Sequence, residues 1–302
     1  MTTITLNCSY RDPETDLLTS DPVEPPDPGD LFPPLLALDF SGETVGLARA
    51  GWNSKSVYAN DQPGGVGTSL KLTLDPNTQA NLDVAACGGN HFFGGRENLP
   101  ADIEIGESLW LMQRRVIPTG FTWGYCYANA DFAAAEACGQ SGDGNAWLKD
   151  LVLSPRSGFA RFYVQPAVER RNITQTSGNR VICEQGPIFN DAAGILYPIN
   201  TEFTLQIYVK VSNTAAGIIR VWINGTLVNE VTGANVTAAN AIREWGIGDY
   251  WNGVPYTNGS ATLHQWLIEV IAATDKAGYG APTTVDSFGN PYIDPALRVS
   301  DF

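Results

Sequence analysis

The sequence is poor in the residues from which most metal centres and nucleophilic active sites are built. Only 2 of its 302 residues are histidine and 5 are cysteine. The cysteines (Cys8, Cys87, Cys126, Cys138 and Cys183) form no C-x-x-C pair, so neither a zinc knuckle nor a thioredoxin-like motif is indicated. Their odd number gives no closed disulfide framework, and they read as small buried hydrophobes in a reduced compartment. His91 sits in a glycine-rich stretch read as a loop, Gly88 to Gly95, and His264 opens a strand; two isolated histidines make no metal site. Positive charge is scarce as well. With 18 Lys and Arg against 32 Asp and Glu, the net charge is −14, which speaks against binding nucleic acid through phosphates and against adhesion to an anionic membrane. No apolar run approaches the roughly 18 residues of a membrane-crossing helix, and no signal-peptide pattern follows Met1. H-E-x-x-H, G-x-S-x-G, the phosphate loop and the dinucleotide fingerprint are all missing. Helical periodicity is confined to Asp131–Cys138, read as a short helix in a loop.

What is abundant is the material of strands and turns. Hydrophobic residues at 43% supply a core, and 31 Gly with 19 Pro suit many turns between short strands. Residues 1–33 read as an acidic, proline-rich arm: seven acidic groups stand against Arg11, and the prolines of Asp21 to Asp30 favour extended backbone over helix or central strand. Residues 34–281 read as one sandwich domain, and residues 282–302 as a turn-rich tail wrapping its surface. Period-two runs recur at Ser69–Leu74, Glu107–Val116, Phe159–Gln165, Glu202–Val211, Gly217–Ile223 and Leu263–Ile271. Two aromatic-dense stretches, Phe121–Tyr127 and Trp245–Tyr256, read as loops capping the open ends of the sandwich, or as exposed contacts.

Three stretches carry a resemblance. Phe203–Val211 followed by Ile218–Gly225 is a hairpin motif ending in Asn224-Gly225. Gln265–Asp275 is similar to a late strand of the same superfamily. Phe93-Gly-Gly-Arg96, Glu107-x-Leu-Trp110, Pro118-x-Gly-Phe-x-Trp123 and Trp147–Val152 are similar to phage-encoded sandwich proteins. Together they resemble the concanavalin A-like lectin and glucanase superfamily, which includes polysaccharide lyases and bacteriophage structural proteins. The resemblance implies an all-β fold, an antiparallel jelly-roll sandwich. It is specific for fold and says little about activity.

Candidate chemistry is sparse. Asp102-Ile-Glu-Ile-Gly-Glu107 has the order D-x-E-x-x-E where the glucanase branch has E-x-D-x-x-E; Pro100 and Gly106 make a turn the better reading. Alternation gives a second candidate. If the strands at 159–165, 202–211 and 218–223 are neighbours, one face carries Arg161, Tyr163, Gln165, Gln206, Tyr208, Lys210, Arg220 and Trp222. Aromatic rings stack on sugar C–H faces, and Arg, Lys and Gln bond hydroxyls or carboxylates, so such a face suits a glycan. The plainer account is a solvated face, or one covered by loops or a neighbouring subunit. Tyr208, Lys210 and Arg220 are the lyase candidates on it, since a lyase must neutralise a uronate and abstract a proton. No cofactor is expected; Asp143 and Asn145, in a Ser-Gly-Asp-Gly-Asn turn, are the one calcium candidate, without the full EF-hand spacing.

The absent motifs, the missing signal peptide, the arm and the resemblance favour a non-enzymatic bacteriophage virion surface protein: a capsid decoration, fibre or tail appendage that binds host glycan. It would be made in the host cytoplasm, homo-oligomerise, and meet other virion proteins through its arm, with neither nucleic-acid binding nor membrane insertion. The alternative is a polysaccharide lyase or glycanase acting on an acidic glycan.

Overall fold

In the computed structural model, the described residues are 31–52, 56–65, 67–74, 90–119, 124–126, 145–154, 162–164, 174–175, 182–183, 198–214, 216–234, 241–252 and 263–302. The expected helix at Asp131–Cys138, the calcium candidate Asp143 and most of the arm lie outside them. Among the described residues are fifteen strands: β1 Leu36–Asp39, β2 Val57–Ala59, β3 Ser69–Leu74, β4 Asn90–Glu104, β5 Ser108–Val116, β6 Gly124–Cys126, β7 Asn145–Ser154, β8 Phe162–Val164, β9 Thr174–Gln175, β10 Ile182–Cys183, β11 Glu202–Lys210, β12 Gly217–Ile223, β13 Thr226–Ala234, β14 Ala241–Asn252 and β15 Leu263–Thr274. The only helical element among the described residues is a 3-10 turn at Val299–Asp301. The all-β expectation is met.

The strands form two large antiparallel sheets and a two-stranded ribbon of β9 and β10. The larger sheet has eight strands, ordered β13-β12-β11-β5-β15-β3-β2, with β1 also on β15; the smaller has five, ordered β4-β14-β7-β6, with β8 on β7. Alternation sorts their side chains. Leu109, Leu111, Leu205, Ile207, Val209, Val221, Leu267 and Val270 of the larger sheet meet Leu99, Ile103, Ile242, Trp245 and Ile247 of the smaller in one apolar core. β4 passes to β5 through a turn at Ile105-Gly106, where Gly106 has φ of +92°, a left-handed value that costs glycine little. This turn carries the chain from one sheet to the other. The D-x-E-x-x-E stretch straddles it: Asp102 and Glu104 end β4, and the Glu107 carboxylate accepts the Glu104 N–H at 2.7 Å.

The hairpin expected from Asn224-Gly225 is present. β11 pairs with β12 from Leu205↔Ile223 to Lys210↔Ile218, and the turn into β13 has φ of 48° at Asn224 and 78° at Gly225. Two successive left-handed residues fit the twist of a tight hairpin, which is why Asn-Gly is favoured there. The Asn224 side chain also accepts the Thr204 N–H at 2.9 Å.

All nine residues of β5 are buried. A strand with one solvated face would alternate; β5 does not, because both faces are covered. One faces the smaller sheet. The other lies beneath the C-terminal segment, which forms a second apolar cluster, with Ile293 and Leu297 packed on Trp110, Met112, Tyr208, Trp222 and Ile271. Burying each of those two aliphatic side chains contributes roughly 1.5–3 kcal/mol. The tail is therefore a layer of the fold rather than a surface wrap.

Candidate functional site

The eight residues expected to share a sugar-binding face do not share one. Tyr163 lies in β8, which pairs with β7 in the five-stranded sheet, whereas Gln206, Tyr208, Lys210, Arg220 and Trp222 lie in β11 and β12 of the eight-stranded sheet. Arg161 and Gln165 are outside the described residues. Side-chain alternation fixes which face a residue takes within a strand, but not which sheet the strand joins; that premise is corrected.

On the eight-stranded sheet the outer face is closed by the chain itself. Gln206 donates from Nε2 to the Ile293 carbonyl at 2.9 Å and accepts the Ile293 N–H at 2.7 Å. Trp110 donates its indole N–H to the Pro291 carbonyl at 2.8 Å. Trp222, fully buried, donates to Asp286 at 3.0 Å and stacks on Tyr292. Tyr208 is 8% exposed; its hydroxyl lies 3.3 Å from Ser108 Oγ, and its ring sits between Trp110 and the Arg220 guanidinium. Arg220 is paired with Glu230 at 2.5 Å, and Lys210 alone of this set is exposed. Gln206, Tyr208 and Trp222 are thus gripping the tail, not offered to a polymer.

Charge fastens the far end of this cover. Arg114 pairs with Glu269 at 2.5 Å and with Glu202 at 3.2 Å, and donates to the carbonyls of Pro295 and Leu297 at 2.7 and 2.8 Å. Arg298 reaches the same two carboxylates. At the near end Asp286 collects the Trp222 indole, the N–H groups of Phe288 and Asn290, and the Asn290 amide. Burial by itself pushes the Asp286 carboxyl up, but these donors together hold it below the usual carboxylate range.

The five-stranded sheet has its own outward positions. Leu99 and Ile103 of β4, and Trp245 and Ile247 of β14, are in the core, so their alternates Gly94, Arg96 and Asn98, with Glu244, Gly246 and Gly248, fall on the outer register. Gly246 is opposite Arg96 on one side and Val152 on the other; Gly248 is opposite Gly94; Tyr250 is opposite Phe92 and Lys149. Three glycines are therefore neighbours in the middle of this register, with Gly246 buried, and glycine within a strand often marks the close approach of a ligand or another backbone. Asn98, Pro100 and Glu104 are exposed on the same strand, and Asp102 pairs with Arg243 at 2.8 Å. Beneath the strand, Trp52 lies where a Cβ on Gly95 would fall. The Glu97 carboxylate accepts from Trp52 Nε1 at 2.8 Å and Arg49 Nη2 at 2.9 Å, bracing the edge strand from within.

Two expectations change here. His91 is in β4, not a loop, and is paired in register with Trp251; Trp245–Asn252 is the second part of β14, not a capping loop. The overlooked signal was the period-two spacing of Gly246 and Gly248 within an otherwise strand-like run. Among the described residues, no three His, Cys, Asp or Glu converge as a metal site.

No protein-family model matches the chain, and a search of curated proteins by sequence finds no match. Solved structures do match in shape. An endo-β-1,4-glucuronan lyase from the fungus Trichoderma reesei is 10% identical, with 79% of this chain and 94% of that one covered and a TM-score of 0.46. The alginate lyase Aly36B is 13% identical, covering 80% and 97%, with a TM-score of 0.38. An alginate lyase from a Chlorella virus is 12% identical, covering 74% and 92%, with a TM-score of 0.39. At these identities the likeness is one of fold, a β-sandwich jelly roll shared with polysaccharide lyases. The expected non-enzymatic phage virion role is corrected: these three structures are polysaccharide lyases, and nothing among them supports a virion role.

Proposed function

We propose that this chain is a polysaccharide lyase that takes an acidic glycan across the outer face of its five-stranded sheet. The observation that carries the reading is the lane of Gly94, Gly246 and Gly248, with Arg96, Lys149 and Tyr250 at adjoining register positions. A glycine floor suits a sugar ring lying flat on the backbone. The tail packed on the other large outer face supports placing the polymer here.

Cleavage by elimination needs little more than such a face can hold. A base removes the proton on the carbon next to the uronate carboxylate. The electron pair forms a carbon–carbon double bond as the glycosidic C–O bond breaks, and the leaving oxygen takes up a proton. A cation on the carboxylate makes the first proton more acidic, the role we assign to Arg96. Tyr250, the register partner of Lys149, is assigned the proton transfers.

The test is a screen of the purified chain against alginate, glucuronan and other polyuronates, followed by the ultraviolet absorbance of unsaturated uronate ends. Absorbance should rise with at least one polyuronate and fail to rise with Tyr250→Phe. New reducing ends without that absorbance would replace elimination by hydrolysis, and silence on every polymer would overturn the reading.

A further inference from the structure

β4 is the outermost strand of the five-stranded sheet, and among the described residues β14 is its partner there. An edge strand has a neighbour on one side only, so its inward side chains carry more of the work of fixing it. From Leu99 onward those side chains, Leu99, Ala101 and Ile103, join the apolar core. At positions 95 and 97 the inward residues are a glycine and a glutamate, and neither brings apolar bulk. Their anchor comes from the connection between β1 and β2. A Cβ on Gly95 would lie 1.9 Å from Trp52 Cδ2, so the indole rests directly against the Gly95 backbone, where only glycine admits it. The Trp52 indole N–H donates to Glu97 Oε1 at 2.8 Å. Arg49 donates to the same oxygen, from Nη2 at 2.9 Å and from Nε at 3.3 Å.

The guanidinium is held in turn. Its carbon lies 5.2 Å from the centre of the Phe40 ring and 5.1 Å from that of Trp52, and Nη1 donates to the Tyr58 hydroxyl at 3.4 Å. The Arg49 and Glu97 side chains are 20% and 24% exposed, so the pair escapes much of the screening that weakens an ion pair in open solvent.

Residue 96 lies between these two anchored positions and has the opposite, outer register. The clamp therefore fixes the stretch of backbone that carries the cation assigned to the uronate carboxylate. As the carbon beside that carboxylate loses its proton, negative charge grows on the carboxylate oxygens. A cation fixed in place thus counts for more in the transition state than in the bound ground state. Displacing such a group by about 1 Å costs on the order of 10²-fold in rate.

We propose that Glu97, gripped by Trp52 and Arg49, is a positioning residue for Arg96 in polyuronate elimination, acting through the edge-strand backbone from the side away from the glycan. The inference rests on the lyase reading and on the role given there to Arg96. It assigns the connection between β1 and β2 a part in turnover that its place on the far side of the strand would not suggest.

The test uses the full chain as wild type and as Glu97→Ala, with Trp52→Phe, which keeps a ring against Gly95 and loses the N–H, should the first variant not fold. kcat and KM are measured on the polyuronate that the wild type cleaves, at a temperature where circular dichroism shows the variant as fully folded as the wild type. The variant should lose roughly 10–100-fold in kcat with KM within about twofold of wild type. A clamp that only stiffens the sheet would lower Tm and leave kcat of the folded variant intact. With an active wild type, an unchanged kcat or a loss confined to KM would overturn the positioning role and leave the lyase reading standing. A wild type that forms no unsaturated product would remove the lyase reading, and this inference with it.

Discussion

On the eight-stranded sheet, the residues pointing away from the core are Gln206, Trp222, Trp110 and Arg114, and each reaches a group of the C-terminal segment. On the five-stranded sheet the central outward positions are Gly94, Gly246 and Gly248. The face richer in aromatic and hydrogen-bonding side chains is the one closed by the tail, and the face proposed for the glycan carries glycines at its centre. Polar-aromatic composition thus marks a surface that binds something, and here the bound object is the protein's own backbone. The contacts that Gln206, Trp110 and Arg114 make with this segment all end on main-chain atoms. They resemble what a sheet edge offers an added strand, transferred to a sheet face.

Substitutions can break this contrast in order of expected effect. Tyr250→Phe should lower turnover on a polyuronate by about 10²–10⁴-fold with Tm unchanged, whereas Tyr208→Phe should leave turnover intact, read by initial rates at the unsaturated-product absorbance. The reverse pattern would return the chemistry to the covered face. Arg114→Ala leaves the buried Glu269 carboxylate to Arg298 and the Val299 N–H and should cost about 1–3 kcal/mol in a denaturant titration. Asp286→Asn should cost about 1–3 kcal/mol near neutral pH. The folded Asp286 carboxyl titrates below its unfolded value, so its contribution is complete above the ordinary carboxylate range and is lost as pH falls through the folded value. The gap between wild type and variant, followed by denaturant midpoint against pH, should therefore narrow only in acid; a gap independent of pH would show that the charge is irrelevant. Gly246→Val should raise KM about tenfold at constant Tm by filling the floor of the lane, a change of about 1.4 kcal/mol.

Much of the fold could be read before any coordinates. The β11–β12 hairpin and the turn after it followed from alternation plus Asn224-Gly225, because turn chemistry is local and needs only the two residues that adopt it. The long β15 was equally plain in its apolar run. Sheet membership was not legible: β8 looks no different from β11 by its own residues, yet it pairs with β7, since partner choice is decided by contacts distant in sequence. Nor was the cover legible. Gln206 and Trp110 recognise carbonyls and an N–H, which every residue of a tail possesses, so no pattern in 282–302 announces where it docks. The glycine lane was missed for a further reason. Glycine weakens the strand signal at the very positions where its missing side chain matters, so His91 and the Trp245–Asn252 stretch were taken for loops.

Phe32 and Phe302 touch, with ring centroids 5.2 Å apart, and Phe32 belongs to the cluster beneath the C-terminal cover. Position 302 and the point where the chain reaches residue 31 therefore sit together on the side away from the glycine lane. A bead or sensor chip coupled through residue 302 would hold every molecule with that lane facing the solution. A handle introduced at that position would let the fold itself orient the immobilised protein.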